Sequence, residues 1–126
     1  MTRRDPKYYL FFTGTQNGRR AARDFLARLE ERAEDRDKAV GPRAFLRQLK
    51  AIKEWSRQPE QPLEQIAKPV LIANGEADQM VPSQNSVDMA RRIPDAELVL
   101  YPDSGHGGIF QYHEAFVEQA RAFLGN

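Results

Sequence analysis

Asp78 and His106 are the residues whose types and spacing could do chemistry. Asp78 lies in Gly75-Glu-Ala-Asp-Gln, a few residues past the apolar run Val70-Leu-Ile-Ala. His106 lies in Asp103-Ser-Gly-His-Gly-Gly, a similar distance past Leu98-Val-Leu-Tyr and 28 residues after the acid. A carboxylate beside an imidazole fixes its tautomer and stabilises the imidazolium that forms when the ring takes a nucleophile's proton. The pair is thus the Asp–His half of a Ser–His–Asp relay. The motif Gly-x-Ser-x-Gly, which exposes a nucleophilic serine between a strand and a helix, does not occur in these 126 residues.

Other residues compete for these roles. Glu76 is a rival acid, two residues nearer the apolar run than Asp78. His113 falls in an expected helix, and His106 with His113 lacks a third ligand at metal-site spacing, so no metal is expected. Among nearby hydroxyls, Ser83 is expected to cap a helix, Ser86 to sit in its first turn, and Ser104 to crowd His106 too closely to serve it. The segment Gly14-Thr-Gln-Asn-Gly-Arg-Arg lacks the Gly-Lys-Ser/Thr of a phosphate loop, and no cofactor is implied.

Positioning such a pair requires two strands ending at one edge. Val70 to Ala73 is continuously apolar, as expected for a strand covered on both faces, and Glu97 to Tyr101 supplies a second strand. Between them, Ser83 to Ile93 reads as a helix with Val87, Ala90 and Ile93 facing inward. A final helix runs from about Tyr112 to Leu124, with Phe116, Val117, Ala120, Phe123 and Leu124 on one stripe. Strand–helix–strand–helix implies a parallel sheet with crossover helices, and ligands gather beyond the carboxyl ends of such strands. Adjacent parallel strands would bring both loops to the same edge. The glycines Gly105, Gly107 and Gly108 supply the tight backbone that would present the ring.

The first half is different in character. Residues 7–13 hold an aromatic cluster that must be buried. After Gly14 to Gly18, with Asn17 as expected N-cap, Ala22, Phe25, Leu26, Leu29 and Ala33 predict a helix to about Arg36. Gly41-Pro42 opens a second helix carrying Phe45, Leu46, Leu49, Ile52 and Trp55. Residues 1–66 therefore read as a helical, cap-like region and residues 67–126 as a βαβα unit.

Composition narrows the function classes. The chain is 40% hydrophobic and 29% charged, as in globular proteins, and it has no cysteine. The absence of thiols excludes disulfides and thiolate metal sites and fits a cytoplasmic location. Neither a membrane span nor a signal peptide is expected. Residues 1–68 carry a net +6 and residues 69–126 a net −5. The basic residues between Arg28 and Lys38 alternate with Glu and Asp, a solvated helix face rather than a nucleic-acid surface.

Taken together, these residues resemble the C-terminal part of an α/β-hydrolase. Pro69-Val-Leu-Ile-Ala-Asn-Gly-Glu-Ala-Asp-Gln-Met-Val-Pro resembles the family's acid-bearing strand and loop, and Leu98-Val-Leu-Tyr-Pro-Asp-Ser-Gly-His-Gly-Gly its histidine loop. The resemblance implies a partial doubly wound parallel sheet with an N-terminal cap, and catalytic roles for Asp78 and His106. It also implies an esterase- or haloperoxidase-like activity on a small apolar ester, with Tyr8, Tyr9, Phe11, Phe12 and Trp55 facing either substrate or core. The family's nucleophile and oxyanion-hole half is missing from these residues. Three accounts follow: a truncated or mis-started hydrolase, a half that associates with itself or with a partner chain supplying the nucleophile, or a non-catalytic binding module. No significant esterase activity is expected of the chain alone.

Overall fold

The computed structural model describes residues 5–36, 38 and 40–125. Its elements run α1 (Lys7–Leu10), α2 (Gln16–Glu31), α3 (Pro42–Trp55), a 3-10 turn (Leu63–Gln65), β1 (Val70–Gly75), α4 (Ser83–Arg92), β2 (Ala96–Tyr101), α5 (Gly108–Gln111) and α6 (His113–Phe123). The two strands pair in parallel, in register from Val70 opposite Ala96 to Gly75 opposite Tyr101. The result is a small α/β fold with a two-stranded parallel sheet flanked by helices, the expected partial sheet.

The chain divides into two compact units, residues 1–31 with 63–126, and residues 32–62. In the larger unit the boundaries follow from local chemistry. Pro94 forces Ile93 into an extended conformation and stops α4 there. Gly125 adopts φ +75° and closes α6 as a left-handed cap residue. At the start of α2 the cap is Thr15, not Asn17: the Thr15 hydroxyl accepts from Gly18 N at 2.9 Å. The helix also stops at Glu31, short of the expected Arg36, so Ala33 lies outside it. Ser83 is the first helical residue rather than a cap, and its hydroxyl donates to the Glu76 carbonyl at 3.0 Å.

Two apolar regions hold this unit together. Tyr8, Phe12, Ala22 and Phe25 are buried together, with Phe11, Ala21 and Leu26 packed against them. The remainder of the expected aromatic cluster stays outside, since Tyr9 and Leu10 are exposed. Under the sheet, Ile72 and Ile93 are buried. β1 is only partly covered, in contrast to the expected strand covered on both faces, and among the described residues it pairs with one strand, β2. On α6, Phe116, Ala120 and Phe123 are half-buried, whereas Val117 and Leu124 leave the expected stripe and face outward. Tyr101 is buried at the end of β2, donates to Gln119 Oε1 at 2.6 Å and stacks on Tyr112. Burial pushes its phenol pKa up, so it remains a neutral donor.

The smaller unit contains α3. Gly41 precedes it in extended conformation, with Pro42 in the first turn as the sequence predicts. Its apolar stripe is open: Phe45, Leu46, Leu49, Ile52 and Trp55 are all exposed. None of the described helices is long and apolar enough to cross a membrane.

Candidate active site

The site forms where the two strands end. β1 runs into the turn Gly75-Glu-Ala-Asp, and Asp78 folds back so that its Oδ1 accepts from Met80 N at 2.9 Å and Val81 N at 3.0 Å. This is the Asx-type turn that aspartate favours, and it leaves Oδ2 pointing out of the turn. Asn74 closes the same loop from inside. Its amide donates to Val81 O at 3.3 Å and to Ser86 Oγ at 3.1 Å, and its Oδ1 accepts from Gly75 N.

β2 runs into the second loop, which carries His106. Ser104 is fully buried, with its hydroxyl donating to Tyr101 O and its carbonyl accepting from Ala77 N at 2.9 Å. The loop therefore lies directly on the acid turn. Gly75 makes that approach feasible, because a Cβ there would overlap the carbonyl oxygens of Ser104 and Gly105. From the other side comes the arm formed by α1 and residues 11–17. Phe11 O accepts from Gly107 N at 2.8 Å. Of the histidine-loop glycines, none takes a positive φ. Gly107 is required by closeness instead: a Cβ there would meet Phe11 Cβ at 2.8 Å.

These two loops bring the imidazole and the carboxylate together. His106 Nδ1 lies 2.9 Å from Asp78 Oδ2. An ionised carboxylate only accepts, so Nδ1 carries the proton and donates it. Among the described residues His106 Nε2 has no hydrogen-bond partner, and the tautomer leaves it as an acceptor. The Asp78 side chain is 1% exposed and the His106 side chain 34%. The acid is thus sealed behind a ring that still meets solvent. Phe11 stands edge-on to the imidazole, with ring centroids 5.4 Å apart. A cleft of about 280 Å³ adjoins the pair, lined by Ile72, Asn74, Val81, Met89 and Ile109 as well as Asp78 and His106.

The competing residues stand elsewhere. Glu76 is exposed and does not meet the imidazole. Ser86 is buried against Asn74, and Ser83 and Ser104 donate to backbone carbonyls. His113 opens α6, and no cluster of metal-ligating side chains occurs among the described residues. Of the aromatics, Tyr8 and Phe12 are core residues, and Tyr9 and Trp55 are exposed.

Sequence reasoning missed Asn74 and a second cluster around Asp103. Asp103 takes φ +47° and its carboxylate accepts from Thr13 Oγ1 at 2.8 Å, Thr15 Oγ1 at 2.8 Å and Asn17 Nδ2 at 3.1 Å. Hydrogen bonds from Thr13 first, then Thr15 and Asn17, hold its pKa below the ordinary aspartate value. The start of α2 adds a favourable field. The polar run Thr13-Gly-Thr-Gln-Asn before a helix was the available signal.

An acid turn and a histidine loop at the carboxyl edge of parallel strands place the chain in the α/β-hydrolase superfamily. It belongs to the TAP-like protein family within it, matched over residues 38–126. An α/β-hydrolase fold protein from Chitinophaga pinensis is 37% identical and superposes with a TM-score of 0.90, over 95% of this chain and 45% of its own. A pimeloyl-[acyl-carrier protein] methyl ester esterase of Nitrosomonas europaea is 36% identical over 55 residues, 44% of this chain and 22% of that enzyme. A serine hydrolase involved in carbazole degradation shares the fold, with a TM-score of 0.57 at 22% identity over 66% of this chain and 33% of that one. The chain thus spans less than half the length of these relatives.

Proposed function

We propose that this chain supplies the acid and the general base of a Ser–His–Asp site that hydrolyses esters or related bonds. The observation that carries the reading is the 2.9 Å contact from His106 Nδ1 to the buried Asp78 carboxylate, with Nε2 unbonded beside an apolar cleft. In this reading Nε2 takes the proton of a serine hydroxyl as the oxygen attacks the ester carbonyl. The proton then passes to the leaving alkoxide, and the cycle repeats with water on the acyl-enzyme. Asp78 holds the ring and stabilises the imidazolium without itself gaining a proton. The nucleophile and the oxyanion donors come from a segment or partner outside these 126 residues, since no Gly-x-Ser-x-Gly occurs within them.

Co-expression with the part of the Chitinophaga pinensis α/β-hydrolase fold protein that this chain does not cover tests the reading. The complemented assembly should hydrolyse an activated ester such as p-nitrophenyl acetate, and the isolated chain should not. In that assembly His106→Ala should cost about a million-fold and Asp78→Asn about ten-thousand-fold in kcat. Equal activity of the His106→Ala assembly would sink the proposal. The missing serine motif favours a second reading, a non-catalytic binding module. It predicts that affinity for an apolar ester analogue survives Asp78→Asn in the isolated chain, measured by calorimetry.

A further inference from the structure

The relay makes no direct use of Asp103, yet its carboxylate gathers three side chains of the arm from 86 to 90 residues away. It lies three residues before His106, in a left-handed conformation that aspartate adopts more readily than most non-glycine residues. Both carboxylate oxygens are taken by the arm, through Thr13, Thr15 and Asn17. Gln111 and Thr13 also donate to the Asp103 carbonyl. One residue past His106, Gly107 N is held by Phe11 O of the same arm. The imidazole therefore sits between two attachments to the arm, and the arm's Phe11 ring is its neighbour at 5.4 Å.

We propose that Asp103 is a positioning residue for His106, clasping the histidine loop to the arm so that Nδ1 stays aimed at Asp78. The inference rests on the reading of His106 as the base of a relay. Without the clasp, the loop from Pro102 to Gly107 keeps its attachments to the acid turn through Ser104 and to Phe11 through Gly107 but loses the tie that precedes the ring. The lowered pKa of Asp103 agrees with a carboxylate that accepts hydrogen bonds from Thr13, Thr15 and Asn17 in the clasp.

Nitrogen-edited NMR of the imidazoles in the full 126-residue chain tests this. Only two histidines are present, and His113→Gln assigns them. The native protein should show a sheltered, downfield Nδ1 proton on His106 that Asp78→Asn abolishes. If Asp78→Asn leaves it in place, the relay reading is wrong and the proposal falls with it. Asp103→Gly relieves the left-handed strain while removing the clasp, so a purely conformational role predicts a native signal. The proposal predicts its loss, with the β1 and β2 backbone amides unchanged, and partial return in Asp103→Asn, which keeps one acceptor oxygen. Should Asp103→Gly not fold, the double variant Thr13→Val/Asn17→Ala removes two of the three clasping side chains and should weaken the signal. A full-strength Nδ1 proton in either variant overturns the proposal.

Discussion

The two loops of the site are built by opposite means. The acid turn is held mainly by its own neighbourhood: Asp78 bonds to residues two and three positions ahead, and Asn74 spans seven to Val81. The histidine loop has local bonds too, from Ser104 Oγ to Tyr101 O and from Gly108 N to Gly105 O, but it is also fastened to the arm by contacts that span 86 to 96 residues. Local closure makes the acid turn a property of a short sequence. The histidine loop is a property of the folded unit, and it should fail whenever the arm lets go. The same carboxylate-to-imidazole contact thus joins a turn closed largely by near neighbours, and stacked on the other loop through Ala77 N, to a loop that also depends on the arm.

Substitutions can separate the two. Phe25 packs on Phe11, Phe12 and Phe110 with centroids 5.0 to 6.1 Å apart, so it supports the arm and not the acid turn. Phe25→Ala should destabilise the unit by about 3–5 kcal/mol in urea unfolding and release the His106 Nδ1 proton to rapid exchange. Gly75→Ala strikes the junction between the loops. Its methyl group must displace the Ser104–Gly105 backbone, at a cost of about 2–3 kcal/mol, and the Asp78–His106 contact should break even where the protein still folds. A native Nδ1 signal in Gly75→Ala would mean the loops are not as tightly stacked as described.

Asn74→Leu acts on the acid turn alone and leaves Ser86 Oγ buried without its amide partner. We expect about 1–2 kcal/mol of destabilisation and faster amide exchange at Met80 and Val81, with the arm untouched. The smallest effect concerns pH. Asp103 is lowered in the folded state, so its stabilising contribution is complete above the ordinary aspartate pKa. It is lost as pH falls below that value, through the folded one. Thermal melts at successive pH values should therefore converge between native protein and Asp103→Asn in acid and diverge above about pH 4. Parallel curves throughout would remove the charge from the clasp.

This asymmetry also explains what the sequence could reveal. Asp78 and His106 were legible because apolar runs bounded by Pro69, Gly75 and Pro102 announce strands, and a loop just past a strand is easy to locate. Glu76 and Asp78 were separable only in three dimensions, since the choice depends on which carboxylate the turn folds inward. Thr15 and Asn17 are both good caps two positions apart, and the hydrogen bond to Gly18 decides between them. Asp103 after Pro102 looks like an ordinary turn former, and its partners lie too far away for any local pattern to announce them. On α3 the periodicity identified an apolar face correctly, but amphipathicity says nothing of what lies against it.

The span between Thr13 and Asp103 also has a temporal meaning. Contacts that close long stretches of chain form after local ones, although the entropic penalty grows only slowly with length. In refolding, the amides of the acid turn should gain protection early, and the wall beside His106 last. During synthesis the arm is made long before its clasp: Tyr8 and Phe12 have Ala22 and Phe25 to pack on at once, whereas Phe11 waits for Phe110 and His106. The setting of the ring is then expected to be among the last parts of the larger unit to form.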